Sequence, residues 1–150
     1  MLKKTLLLPL LASLLLIIGI VVVSNRDFSP AVHSSLTNLA TLKAMARDAM
    51  PYEVAMSNGK PSLIEFYADW CQTCQSLAAT LEQLQEKYGE SVNFMMLDID
   101  DPQWQQQIQT YQVTGVPHLT FLRANHEIAD TLIGKVPRVV IEDTLKEFRI

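Results

Sequence analysis

Hydrophobic residues are distributed unevenly along the chain, and its N-terminal segment differs from everything that follows. No charged residue occurs from Thr5 to Asn25, where leucine, isoleucine and valine fill most positions. A helix of about 20 apolar residues is long enough to cross the hydrocarbon core of a bilayer. Lys3 and Lys4 precede the run, so the positive-inside rule keeps the N-terminus in the cytoplasm. The pattern predicts a single-pass signal anchor over residues 1–25, with residues 5–24 in the lipid bilayer and the remainder exported.

A cleaved signal peptide is the alternative interpretation of this segment. Val22 and Ser24 would satisfy a small-residue rule for cleavage before Asn25. However, the apolar run of about 18 residues exceeds the roughly 7–15 that are usual for a signal peptide, and no A-x-A site follows it. We therefore favour an uncleaved transmembrane helix.

Residues 26–50 are predicted to form a linker and a helical segment. The stretch over residues 28–35 is polar, and apolar residues then recur at intervals of three. This spacing is typical of an amphipathic helix, which should end near Met50. A second short helical segment is expected over residues 52–56, because an Asn-Gly pair that favours helix termination follows it.

The rest of the chain alternates between apolar runs of strand length and amphipathic helical stretches. Strands are predicted at residues 62–67, 92–97, 117–122 and 128–133, and helices at residues 71–88, 102–111 and from Pro137 onward. Strands that are separated by helices imply parallel pairing through crossovers, whereas the last two strands should be antiparallel because a tight turn joins them. The order therefore predicts an α/β fold with a mixed sheet of about four strands flanked by helices.

Composition and charge narrow the classes of function. The chain has 150 residues, which suits one domain beyond the anchor. Its net charge is −4, and without Lys3 and Lys4 ten basic residues stand against 16 acidic ones. This balance argues against a protein that binds nucleic acid by neutralising phosphates. The two cysteines are too few for a disulfide-stapled miniprotein or a four-thiolate zinc site.

The candidate chemistry lies in the two cysteines, Cys71 and Cys74, which follow a predicted strand and begin a predicted helix. Free N–H groups and the positive dipole end of a helix stabilise a thiolate, so the pKa of Cys71 should be depressed. Cys74 lies one turn further along and could attack a mixed disulfide formed by Cys71. The pair could therefore shuttle two electrons by thiol–disulfide exchange.

Three other uses of the cysteine pair compete with redox exchange. A purely structural disulfide would close a loop so small that the chain-entropy argument gives it little stabilising effect. A zinc site would need two more ligands, and His33, His118 and His126 show no ligand spacing. Haem attachment needs histidine at position 75, where the chain has glutamine. We expect no metal and no cofactor.

Three stretches together resemble the thioredoxin family: residues 65–74, residues 115–118 with their Val-Pro pair, and Gly134. The resemblance covers about residues 50–150 and implies a thioredoxin-like domain over residues 51–150. It is closer still to membrane-anchored thiol:disulfide interchange proteins of the cyanobacterial TxlA type. That resemblance implies a reductase in the periplasm or thylakoid lumen. Such a protein would take electrons from a polytopic membrane carrier of the CcdA type and reduce disulfide-containing client proteins, including apocytochromes.

The resemblance also implies roles for individual catalytic residues. Cys71 would be the nucleophile and Cys74 the resolving thiol, with a redox disulfide between them. Glu65 stands where thioredoxins keep a buried acid, whose pKa desolvation should raise, and it could exchange a proton with Cys74. Pro117 should follow a cis peptide bond. That bond would expose the backbone of Val116 as a short edge on which an extended client segment can form hydrogen bonds.

Trp70, Gln72 and Thr73 are also expected to contact clients, and some positions depart from the family pattern. Trp70 is expected to be a surface aromatic that flanks the site. Gln72 and Thr73 replace the Gly-Pro pair of ordinary thioredoxins, which leaves the redox potential open. Met96 replaces a lysine near the buried acid, so Glu65 should be protonated more readily. The family's first strand is not evident, because helical segments precede residue 62.

Two alternatives to a reductase stay open on the sequence. One is an oxidant or isomerase that installs disulfides, although strong oxidants often have histidine within the C-x-x-C motif, and Thr73 is not one. The other is a non-catalytic thioredoxin-fold module that binds assembly clients. The intact set of Cys71, Cys74 and Pro117 favours catalysis.

Overall fold

The structure is a computed structural model that describes residues 30–148, and the chain from Ser35 onward forms one compact unit. The predicted anchor, residues 1–25, lies outside the described residues. Among the helices that are described, none is both long enough and apolar enough to cross a membrane.

Within the described residues, two helices precede the sheet. Helix α1 is Pro30–Asp48 and helix α2 is Tyr52–Ser57. The prediction of a polar linker over residues 28–35 is wrong for its second part, because α1 already begins at Pro30. Proline is well tolerated in the first turn of a helix, where its missing N–H group would have no partner.

A four-stranded sheet forms the centre of the domain. Its strands are β1 (Ser62–Tyr67), β2 (Asn93–Asp98), β3 (His118–Leu122) and β4 (Ile128–Ile133), in the spatial order β2-β1-β3-β4. Strand β1 pairs in parallel with β2 and antiparallel with β3, and β3 pairs antiparallel with β4. The remaining elements are helix α3 (Gln72–Tyr88), a 3₁₀ turn (Pro102–Trp104), helix α4 (Gln105–Thr110) and helix α5 (Arg138–Phe148). The predicted mixed sheet and its helices are therefore confirmed.

The direction of β3 contradicts the parallel pairing that is predicted for strands separated by helices. Phe66, near the end of β1, pairs with Leu97 near the end of β2 and with His118 at the start of β3. The chain thus leaves β2 and enters β3 at the same edge of the sheet. Helix α4 has six residues and rises about 9 Å, whereas a strand of six residues spans about 20 Å. It is too short to carry the chain back to the opposite edge.

Strand β1 is buried along its whole length and separates two hydrophobic clusters. On one face, β1 packs with helices α1, α3 and α5, and the cluster includes both cysteines. The amphipathic helix predicted over residues 71–88 is confirmed as α3, and the stripe that it buries includes Leu77, Leu81, Leu84 and Tyr88. On the other face, β1 packs with α2 and with the segment from the 3₁₀ turn to Tyr111. In α5, Ile141 and Leu145 are buried, whereas Val140 is exposed.

The open side of β2 is closed by hydrogen bonds to the chain before β1, in the place where a further strand could have paired. The backbone N–H of Met50 donates to the carbonyl of Phe94 at 2.9 Å. The side-chain amides of Asn58 and Asn93 donate to each other's oxygen at 2.8 and 3.0 Å, and Asn93 also donates to Ser62 Oγ at 3.0 Å. Asn93 is buried, so this network fixes the starts of β1 and β2 against the end of α2.

We predict that Asn93→Ala lowers the free energy of unfolding by about 2 kcal/mol, because it leaves buried polar partners unsatisfied. Urea denaturation followed by circular dichroism measures this change. Asn125→Ala is the matched control, since Asn125 accepts one exposed turn hydrogen bond from Glu127. Equal destabilisation by the two variants would contradict the structural role of Asn93.

Candidate active site

The two cysteines form a disulfide at the point where β1 passes into α3. Cys71 is the N-cap of α3, and its sulfur accepts a hydrogen bond from the backbone N–H of Cys74 at 3.1 Å. The Cys71 N–H donates to the carbonyl of Ala68, which shapes the turn between strand and helix. Because the first turn of a helix has free N–H groups and a positive dipole end, this position stabilises a thiolate on Cys71.

The two sulfur-bearing residues differ in their access to solvent. Cys71 is 6% exposed, whereas Cys74 is fully buried. An incoming disulfide can therefore reach Cys71 first, and Cys74 can meet only a sulfur that is already bound to Cys71. This asymmetry agrees with the predicted division into a nucleophile and a resolving thiol.

Glu65 is buried in the middle of β1, as predicted, and is 1% exposed. Its neighbours across the sheet are Met96 and Leu119, and neither of its carboxyl oxygens has a hydrogen-bond partner among the described residues. Because residues of a strand alternate between faces, Glu65 lies on the same face as Leu63 and Tyr67, which belong to the cluster around the disulfide. Desolvation raises the pKa of Glu65 to about 8, so the carboxyl is protonated at neutral pH.

The peptide bond between Val116 and Pro117 is cis, as predicted. The carbonyl of Pro117 accepts a hydrogen bond from the N–H of Gly134 at 2.8 Å. Gly134 has a φ of 81°, a left-handed conformation that favours glycine. The loop before β3 is therefore held by the loop after β4, and Val116 packs against both hydrophobic clusters.

Trp70 is a surface residue, as predicted, and 65% of it is exposed. Its indole N–H donates to Oδ2 of Asp100 at 2.8 Å, which fixes the orientation of the ring. The ring forms one wall of a groove of about 390 Å³, which we call the Trp70 groove. Its apolar lining consists of Trp70, Ile99, Ile108, Val113 and Val116.

The two residues between the cysteines occupy different positions. Thr73 lines a second groove, of about 240 Å³, together with Gly134 and Val136. Gln72 is exposed and lines neither groove. The structure therefore brings Trp70, Thr73 and Val116 to surfaces beside the disulfide and leaves Gln72 at the solvent-facing start of α3.

Sequence patterns missed several features of the site. Lys43 of α1 forms an ion pair with Asp69 at 2.7 Å, a contact between distant parts of the chain that no local pattern signals. Asp100 could have been found, since it follows a buried strand at the edge where the cysteines lie. His118, the first residue of β3, is buried, neither ring nitrogen has a hydrogen-bond partner among the described residues, and burial lowers its pKa. No cluster of metal-ligating side chains occurs in residues 30–148.

The family model Thioredoxin matches residues 43–147. The chain belongs to the thioredoxin family. A solved structure of a mutant thioredoxin from Halobacterium salinarum superposes with a TM-score of 0.59 at 26% identity and covers 68% of this chain and 88% of that one. This thioredoxin domain thus has the disulfide-forming cysteine pair of a thiol–disulfide oxidoreductase.

Two curated relatives are more similar in sequence. The thioredoxin-like protein HCF164, chloroplastic, of Arabidopsis thaliana is 41% identical over 65% of this chain and 38% of its own length. The thiol:disulfide interchange protein TxlA of Synechococcus elongatus is 37% identical over 90% of this chain and 66% of its own length. The chain therefore spans less than two thirds of these relatives.

Glu65 should make the stability of this thioredoxin domain depend on pH. The unfolded carboxyl ionises above about pH 4.5, whereas the folded one keeps its proton up to a pKa of about 8. The contribution of the protonated Glu65 to the free energy of unfolding is therefore complete below pH 4.5 and is lost as the pH rises towards 8. Glu65→Gln should remove this loss. Relative to the wild type, the variant's free energy of unfolding should therefore be higher by about 3 kcal/mol more at pH 8 than at pH 5.

Urea denaturation of the oxidised protein between pH 5 and pH 8 measures the effect. Glu53→Gln, on the partly exposed helix α2, is the control with the same charge change. Parallel pH profiles for the wild type and Glu65→Gln would show that Glu65 does not hold its proton in the folded state.

Proposed function

We propose that the protein is a membrane-anchored reductase of disulfides in client proteins outside the cytoplasm. The observation that supports this most directly is the arrangement of the cysteines. Cys71, which is 6% exposed, caps the helix, Cys74 is fully buried, and the cis bond at Pro117 precedes β3 at the edge of the sheet where β1 ends. The two curated relatives, one of which is named a thiol:disulfide interchange protein, support the same activity.

The reaction is an exchange of disulfides in two steps. In the reduced protein, the Cys71 thiolate attacks one sulfur of the client disulfide, so that a bond between Cys71 and the client forms and the second client sulfur leaves. Cys74 then loses its proton and attacks the sulfur of Cys71, which releases the first client sulfur as a thiol. Two electrons pass from the protein to the client, one proton comes from Cys74 and the second from solvent, and the Cys71–Cys74 disulfide remains.

Glu65 is proposed to exchange a proton with Cys74, and it accepts that proton in the molecules whose Glu65 carboxyl is ionised, a minority at neutral pH. An ordinary thiol has a pKa of about 8.5, and burial raises the pKa of Glu65 to about 8. Proton transfer between two groups with such similar pKa values requires little free energy in either direction. A carboxyl with an ordinary pKa would hold the proton too weakly to return it.

The direction of electron flow is proposed as reduction. Electrons would arrive from a polytopic membrane carrier of the CcdA type and pass to client disulfides, with apocytochromes among the clients. Residues 5–24 would anchor the domain, which would face the periplasm or the thylakoid lumen. The name of the Arabidopsis relative places that relative in the chloroplast. An oxidant or isomerase is the alternative, and Thr73 within the cysteine motif speaks against a strong oxidant.

Trapping of mixed disulfides tests the activity. Full-length Cys74→Ser, expressed in its own membrane, should accumulate covalent adducts on Cys71 that dithiothreitol releases, because the resolving step is lost. Cys71→Ser with Cys74→Ser is the control and should yield none. Undiminished binding of the same partners by the double variant would instead indicate a non-catalytic module.

The thiol state of the wild-type protein in cells tests the direction. Alkylation of an acid-quenched sample should find most of the protein as the dithiol, since the electron donor keeps a reductase in its reduced state. A protein found mostly as the disulfide would indicate an oxidant and contradict the proposal.

Membrane extraction tests the anchor. The full chain should resist extraction with alkaline carbonate and should keep Met1 in its mature form, and deletion of residues 1–25 should prevent its recovery with the membrane. Protease added from the cytoplasmic side should leave the thioredoxin domain intact. A mature chain that begins at Asn25 and lies in the soluble fraction would show that the segment is a cleaved signal peptide.

A further inference from the structure

Three aspartates lie next to Ile99 in the chain, at the end of β2 and in the turn that follows, and we call them the acidic rim: Asp98, Asp100 and Asp101. Ile99, which lines the groove, lies between the first two. The hydrogen bond from the Trp70 indole holds the Asp100 carboxylate beside the exposed ring. The Asp100 carboxylate therefore lies at this apolar groove, with Asp98 and Asp101 close to it in the chain.

No described lysine or arginine forms an ion pair with the acidic rim. Asp98 and Asp101 accept backbone N–H groups, of Asp100 and Gln103 respectively, at 3.0 Å. Asp69 differs from them, because Lys43 pairs with it at 2.7 Å. The charge of Asp69 is thus balanced within the domain, whereas that of the rim is not.

The negative charge of the rim acts on a neighbouring side chain. Burial and then the charge of Asp98 are the largest causes that raise the pKa of Tyr67 to about 12, and Asp101 contributes as well. Tyr67 ends β1, four residues before Cys71. The charges of Asp98 and Asp101 therefore act on the residue that ends β1, from which the chain continues to Cys71.

We propose that the acidic rim selects client segments that carry lysine or arginine next to the cysteine that Cys71 attacks. This inference rests on the proposed function and names the class of client. An apolar client side chain would enter the Trp70 groove while the neighbouring cation approaches Asp98, Asp100 and Asp101. An acidic client would meet like charges at the same place.

The physical effect is expected on the rate of encounter more than on the strength of the complex. Ion pairs at an exposed surface are individually weak, because water and salt screen them. A cluster of unbalanced charge beside a site nevertheless steers oppositely charged partners and raises their association rate by tenfold or more at low salt. Selection by the rim should therefore fade as the ionic strength rises.

The test uses three peptide disulfides that differ only in the residues flanking the cysteine, which are lysine, glutamine or glutamate. The reduced wild-type protein should reduce the lysine peptide about tenfold faster than the glutamate peptide at low salt, and the ratio should approach unity at high salt. Each rate constant is divided by that for dithiothreitol as reductant, because flanking charges also alter the reactivity of the peptide.

The variant that tests the rim is Asp98→Asn with Asp100→Asn and Asp101→Asn. Asparagine keeps an acceptor oxygen for Trp70 and for the backbone, so the change removes charge while a hydrogen-bond acceptor is retained. Its ratio of lysine to glutamate rate constants should fall to about one. The matched control is Glu82→Gln with Glu86→Gln and Glu90→Gln. These residues line a groove between α1 and the far end of α3, and this variant should keep the wild-type ratio.

The outcomes separate the rim from the proposed function. If the wild type reduces all three peptides at equal normalised rates, the rim does not select clients, although the reductase activity stands. If both triple variants lose the ratio equally, net charge and not the rim is responsible. If no peptide is reduced, the proposed function itself fails.

Discussion

The burial of one carboxyl without a partner is the constraint on which the site depends. Glu65 lies in a strand that is inaccessible along its whole length, between Met96 and Leu119. An ionised carboxylate in such surroundings would lose its hydration with nothing to replace it, so the group keeps its proton and its pKa rises to about 8. The methionine at position 96 matters because a cation there would stabilise the charged form and lower the pKa again. The hydrophobic sheet that makes the fold stable thus also sets the proton affinity of a group beside the disulfide.

The chain before the sheet completes the domain in place of a further strand. Leu42 and Met45 of α1 are buried in the cluster that contains the cysteines, and Met50 and Asn58 hydrogen-bond to β2 or to its first residue. Through Lys43 the same helix neutralises Asp69, two residues before Cys71. The segment that enters the domain is therefore part of the surroundings of the site as well as a connection to the preceding residues.

Local patterns in the sequence are sufficient to predict the helices, the strands and the redox cysteine pair. They fail to predict features that depend on contacts between distant parts of the chain. The buried stripe of α3, the strand around Glu65 and the cysteine pair at a helix start each leave a signal within a few residues. The antiparallel direction of β3 has no such signal, because it depends on how far the short helix α4 can carry the chain. Likewise, the exposure of Val140 depends on where α5 meets the core. The cis bond at Pro117 follows only from resemblance to a family, since no local spacing requires it.

Charge is distributed in opposite ways inside and outside the site. Beneath the disulfide, burial keeps Glu65 neutral at neutral pH, so the interior neither repels a thiolate on Cys71 nor draws in a counter-ion. At the surface, Asp98, Asp100 and Asp101 have no described cationic partner, and the N-terminal end of α3 is positive at the position of Cys71. A client that approaches thus meets an acidic border around a site that itself favours a thiolate. The helix end acts on the Cys71 sulfur, whereas the aspartates act on a client at the surface. The reactivity of Cys71 and the choice of client can therefore be altered by separate residues.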